Sequence, residues 1–156
     1  METYLETTQS LDPKNYSRDV QKAYWINLYN AFTVYVILEE YPVQSILELG
    51  ENASGPWDQK ISSVAGKSLS LKDVEHNILR KEWSDPRIHF GVNCASVGCP
   101  NLLKHAYTAD NVETLLAQAA REFMSHPRGM RFEKGSLKRG FEKGILKHPA
   151  IDIITL

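Results

Sequence analysis

The sequence predicts an α+β fold: a central buried helix, flanking helices and a small, mainly antiparallel sheet. Three observations carry that prediction. Residues 23–38 form an apolar stretch with rows at i, i+4 spacing: Trp25, Leu28, Phe32 and Val36 on one side, Ile26, Tyr29, Thr33 and Ile37 on another. A helix covered on most sides sits at the centre of a fold. Val112, Leu115, Leu116, Ala119, Ala120 and Phe123 follow the one-faced helical template, so a second helix lies on the surface of that core. Runs at 60–64 and 68–71 read instead as short strands of a hairpin.

Each element has its own start and stop. Residues 1–9 predict a short polar helix, ended by Asp12-Pro13. Ser17 and Asp19 open the central helix with oxygen and negative charge at its N-terminus, and it runs to about Glu40, before Tyr41-Pro42. Residues 43–49 predict a further short helix stopped at Gly50, and Ser54-Gly55-Pro56 a loop. The hairpin turns at Ala65-Gly66-Lys67. Ser70, with Asp73 three residues on, caps a helix reaching about Trp83, where Leu71, Val74 and Ile78 define the core face. Asp85-Pro86 breaks it, and the run 88–92 predicts a buried strand. Thr108 caps the amphipathic helix and Pro127 ends it. Beyond it, Phe132-Glu133-Lys134-Gly135-Ser136-Leu137-Lys138 recurs as Phe141-Glu142-Lys143-Gly144-Ile145-Leu146-Lys147, too few copies for a solenoid and consistent with a small hairpin.

Composition narrows the function classes. A chain of 156 residues is one domain with room for a core without metal or disulfide staples. Its net charge of −1 provides no global attraction for nucleic acid. The basic run from Arg128 to Lys147 reads as a solvated face. The 23–38 stretch is shorter than the roughly 18–20 residues of a membrane span and holds Asn27 and Asn30, so no span is expected. No basic region leads into an apolar run after Met1, so no signal peptide is expected in this chain. Nothing in the composition points to a cofactor or sets an oligomeric state.

Chemistry concentrates in Asn93-Cys94-Ala95-Ser96-Val97-Gly98-Cys99-Pro100, which holds both cysteines among small residues. Their spacing is neither that of a redox C-x-x-C motif nor of a zinc knuckle. Cys94, Cys99 and His105 lack a fourth ligand at standard spacing, so no metal site is expected. Three readings stay open at this point. Cys94 is a nucleophile, or the loop is structural in a binding module, or Cys94 and Cys99 form a redox pair.

A nucleophilic thiol needs a base. His126 and His148 lie beside prolines at segment ends. His76 follows Glu75 and shares a polar helix face with Arg80, which makes a catalytic site or a surface salt-bridge patch. His89 opens the predicted strand, where five residues span about 16 Å, too far for direct contact with Cys94. Asn27 and Asn30 sit on the buried helix, where their amides need partners; the 93–100 loop backbone and the Glu75-His76 face are the expected ones.

Three blocks together carry a family resemblance: Tyr24-Trp25-Ile26-Asn27-Leu28-Tyr29-Asn30-Ala31, the run from Leu69 to Arg80, and the run from Asp85 to Pro100. In that order, across residues 20–128, they resemble the domain of unknown function numbered 547. The resemblance implies a thiol-dependent site of the papain or transglutaminase kind, with the fold to match, acting on a peptide, amide or thioester bond. Cys94 would be nucleophile, His76 base and Glu75 its orienter. Asn93 or the backbone after it would hold the oxyanion, and Asn27, Asn30, Arg80, His89, Ser96 and Cys99 would support the site. Bacterial members of the family are commonly exported. The chain departs from the family pattern after about Arg131, where the Phe-Glu-Lys-Gly repeat replaces a strand and an aromatic-rich helix.

Overall fold

The structure, a computed structural model, describes residues 1–133 and 136–139. It is α+β, and one helix organises it. Helix α1 (Glu2–Gln9) leads through a 3₁₀ turn at Pro13–Asn15 into α2 (Arg18–Glu39), with Ser17 as N-cap accepting from Val20 N–H at 3.5 Å. Trp25, Ile26, Leu28, Tyr29 and Phe32 of α2 are all buried, as the paired apolar rows require. Each such side chain contributes about 1.5–3 kcal/mol on burial. Around α2 pack α1, the helix beginning at Asp73, and α5 (Val112–Met124). No helix among the described residues is long and apolar enough to cross a membrane.

The strands are smaller than the sequence suggests, and they do not form one sheet. β1 (Ser62–Val64) pairs antiparallel with β2 (Lys67–Leu69), Ser62 opposite Leu69 and Val64 opposite Lys67. Ala65 and Gly66 both have positive φ, 49° and 75°, the two-residue turn that matches the twist of a hairpin. β3 (Met130–Glu133) and β4 (Ser136–Arg139) make a second, separate hairpin. The helices therefore pack on each other, and among the described residues no common sheet lies beneath them. The second copy of the Phe-Glu-Lys-Gly repeat lies outside the described residues. The predicted helix at 43–49 contracts to a 3₁₀ turn at Ile46–Leu49, opened by Ser45 Oγ accepting from Leu47 N–H at 3.3 Å and closed at Gly50.

The run 88–92 is not a strand. Residues Ile88–Gly91 form helix α4. The cause lies just upstream: Asp85 Oδ1 accepts from Arg87 N–H at 2.9 Å and the Asp85 carbonyl from Ile88 N–H at 3.2 Å, so Asp85-Pro86 starts a helix. A short apolar run has no period by which to distinguish the two states. α4 packs on α5, and Gly91 makes this possible, because a Cβ there would come within 2.7 Å of Leu116 Cδ2. Charge pins the same corner. Glu113 on α5 pairs with the buried Lys22 of α2 and, at 2.5 Å, with Arg87, which also pairs with Asp85 at 2.8 Å.

After β2, Ser70 and Asp73 form a reciprocal cap, Asp73 N–H to Ser70 Oγ at 3.1 Å and Ser70 N–H to Asp73 Oδ2 at 2.9 Å. The Lys60 ammonium first, and then these Ser70 bonds, hold the Asp73 carboxyl well below the usual carboxylate range. Folding thus favours the charged form, so this stabilisation is complete above about pH 4 and drains away as the pH falls through the folded-state value. Asp73→Asn should therefore be most destabilising near pH 7. Urea unfolding at pH 7 and pH 3 checks this: the gap between the two proteins should narrow at pH 3, and a gap equal at both overturns it.

Candidate functional site

The chain leaves α4 through Gly91 and Val92 and enters the cysteine loop, which is built from its own side chains. Asn93 Oδ1 accepts from Ala95 N–H at 2.7 Å, the local bond by which Asn nucleates turns, and Asn93 Nδ2 donates to the Pro100 carbonyl across the loop's mouth. Ala95 takes φ +54°, an unusual conformation for a residue with a Cβ, at the tightest point of the loop. Ser96 accepts twice, from Gly98 N–H on its hydroxyl at 3.3 Å and from Cys99 N–H on its carbonyl at 2.9 Å. Cys94 and Cys99 are joined in a disulfide, their Cα atoms 6.1 Å apart. Arg128, from beyond α5, holds the outer side, donating to the Val97 carbonyl at 3.2 Å and to Asn101 Oδ1 at 2.6 Å. Only the tip is open: Ala95, Ser96 and Val97 are exposed.

Beneath the loop runs α2. Asn30 Nδ2 donates to the Gly91 carbonyl at 2.9 Å, and its Oδ1 accepts from Asn93 N–H at 2.8 Å. One amide thus bridges the end of α4 to the start of the cysteine loop. A turn earlier, Asn27 makes the same two-sided contact with Tyr107, donating to its carbonyl at 2.8 Å and accepting from its N–H at 3.0 Å. Both asparagines are half-buried, not enclosed, because they lie where α2 meets loop backbone. Their partners are the backbones of Gly91, Asn93 and Tyr107.

A second polar cluster sits on the helix that follows Ser70. Residues Asp73–Leu79 wind as a π-helix, continuing as α3 (Arg80–Glu82), with Arg80 N–H bonded to the Glu75 carbonyl. That wider winding puts residues five apart on one face. Arg80 Nη2 and Nε reach Glu75 Oε1 at 2.8 and 3.2 Å, and Glu75 is only 6% exposed. An α-helix would set Arg80 over His76, four residues before it; the wider winding brings Glu75, five before, within reach. Arg80 Nη2 also lies 3.4 Å from Nδ1 of His89, and the Tyr29 hydroxyl of α2 is placed to feel the Glu75 charge. Burial first, then the Glu75 charge, push the Tyr29 hydroxyl upward. His76 is half-buried on the same helix. His89 stands on α4 and not on a strand, so the strand spacing does not set its distance from Cys94.

The predicted site residues therefore gather in two clusters. Asn30, Asn93, Cys94, Ser96 and Cys99 form one, and Glu75, Arg80 and His89 the other. In the first, the Cys94 sulfur is bonded to Cys99, and three of the candidate oxyanion donors are engaged: Ala95 N–H by Asn93, Gly98 N–H by Ser96, and the Asn93 amide by Pro100. In the second, Glu75 Oε1 serves a guanidinium. Among the described residues no group of three His, Cys, Asp or Glu side chains is placed to hold a metal ion. Sequence reading missed Tyr29 and Arg128. Tyr29 stood in an apolar row of the central helix, and Arg128 in a solvated basic run, because their polar neighbours lie far along the chain.

Three comparisons bear on this arrangement. A family profile described as "Protein of unknown function, DUF547" matches residues 13–124, the span that holds both clusters. Porphobilinogen deaminase of Campylobacter jejuni subsp. jejuni serotype O:23/36 (strain 81-176) is 27% identical over 131 residues, covering 83% of this chain and 39% of that protein. Porphobilinogen deaminase of C. jejuni subsp. doylei (strain ATCC BAA-1458 / RM4099 / 269.97) is 26% identical over the same shares. The chain thus spans about two fifths of the length of these relatives. No solved structure matches the chain.

Proposed function

The chain belongs to the DUF547 family, and from that premise we propose that it is a non-enzymatic binding domain whose cysteine loop is a disulfide-closed structural element. One observation carries the reading: the Cys94 sulfur, the Asn93 amide and two of the N–H groups on which a thiol acyl-transfer site would draw are already committed to the loop itself. Nucleophilic catalysis needs a thiolate and an oxyanion site with unspent donors. Here Cys94 is bonded to Cys99, while Asn93 and two of the loop N–H groups close the turn. Such bonds rigidify a loop, and a rigid exposed loop on a packed scaffold is suited to recognition. The likeness to porphobilinogen deaminase covers too little of those proteins to bring their activity to this reading.

A second reading is favoured by the partial exposure of both cysteines, which lets a thiol reductant reach the bridge. In the reduced chain Cys94 would attack an acyl carbon of a peptide, amide or thioester, a histidine would take its proton, and the leaving group would depart protonated. His76 is the base the resemblance implies, and His89 is the imidazole tied by Arg80 to Glu75.

One experiment separates the two. Unreduced protein treated with iodoacetamide at neutral pH should show no adduct by intact mass, and two adducts after dithiothreitol and unfolding. Rapid labelling of Cys94 ahead of Cys99 without reductant overturns the binding reading. So does thioester or peptide hydrolysis that appears with reductant, persists in Cys99→Ala and vanishes in Cys94→Ala.

A further inference from the structure

We propose that the cleft between α1, α2 and the 102–107 segment captures the C-terminal carboxylate end of a peptide, or an N-acylated amino acid, with an apolar last side chain. The inference rests on the binding-domain reading and names its ligand class. The cleft measures about 180 Å³. That is below the size of a drug-sized or cofactor site, and suits the last residue of a chain.

Three kinds of group line it, and each matches one part of such a ligand. Asn27 and Asn30 form one wall. A primary amide has two donors and two acceptor positions, and the backbone bonds already described use one of each. The second set is what a peptide C=O and N–H require. Tyr4 and Leu102, both 47% exposed, and the half-buried Leu103 supply apolar surface for a side chain. Lys104 and His105 stand exposed on the same lining. Described carboxylates pair with Lys22, Lys60, Lys72, Arg80 and Arg87, and none of them with Lys104. Its ammonium is therefore available to a ligand carboxylate.

The wall is also held in place beforehand. Asn27 clamps Tyr107 at one end of the segment, and the Asn93 bond to Pro100 fixes where the segment begins. Preorganisation of this kind lowers the ordering cost of binding.

The test is a titration of the ¹⁵N-labelled full chain with N-acetyl-leucine and, separately, with uncharged N-acetyl-leucine amide. The acid should give saturable shifts of the Asn27 and Asn30 side-chain NH₂ signals and of the Lys104 and His105 backbone amides. Lys104→Gln should weaken it by about two- to fivefold, the range of an exposed ion pair, and leave the weaker amide analogue unchanged. Equal affinity for acid and amide overturns the carboxylate assignment. Shifts confined to residues 95–97 overturn the cleft while leaving the binding reading standing. Absence of shifts also overturns the cleft, whereas the underlying reading falls only to Cys94 labelling without reductant or to the Cys94-dependent hydrolysis described above.

Discussion

Replacing Arg80 with methionine is expected to destabilise the protein by about 3 kcal/mol, at the lower end of the range for breaking a buried ion pair. The cost comes from Glu75. Its carboxylate is 6% exposed and receives both guanidinium contacts on one oxygen, so removing Arg80 leaves a buried charge uncompensated. The lower end applies because the Arg80 side chain is itself 21% exposed and water partly screens the pair. For a chain this size the thermal midpoint should fall by about 6–12 °C. Glu75→Gln combined with Arg80→Met should recover a large part of the loss, because no charge is then stranded. Denaturant unfolding of the two single variants and the double variant measures the coupling. An Arg80→Met variant within about 1 kcal/mol of the parent would mean that the π-wound pair does not carry this part of the fold.

Asn30→Leu should cost about 2–3 kcal/mol, because it strands two backbone groups at once. The Gly91 carbonyl and the Asn93 N–H lose their partner together, and a leucine offers nothing in return. Half-burial of the site keeps the figure below the sum of two full penalties. The effect should also be local. Hydrogen exchange at Asn93 N–H should accelerate well beyond what the global loss of stability explains, while amides of α5 follow the global change. Unchanged protection at Asn93 would show that the cysteine loop is held by its disulfide and Arg128 alone, with α2 as a bystander.

Much of the scaffold was legible in sequence because its determinants are local. The caps at Ser17 and Ser70, the paired apolar rows of α2, the one-faced stripe of α5 and the Ala65-Gly66 turn all act within a few residues. The 88–92 run failed for the complementary reason. Without polar residues between its apolar ones it carries no period, and an Asp85 cap three residues upstream decided it. Of the candidate site, the sequence identified the cysteine loop and the asparagines as polar groups in need of partners. Which partners they took was not in any local pattern.

What the sequence by itself determined, then, is the α+β class, the central helix and the DUF547 family. Each follows from periodicity, capping or motif order. Only the tertiary structure decided that Glu75 pairs with Arg80, and that Cys94 is joined to Cys99. Only there do Asn27 and Asn30 clamp backbone at Tyr107, Gly91 and Asn93. The first depends on a π-helical winding that shifts neighbours from four residues apart to five. The others depend on groups that meet only once α2, α4 and the loops have packed. Local propensity is blind to both, because it describes how a segment folds and not which buried polar group will be waiting on the other side.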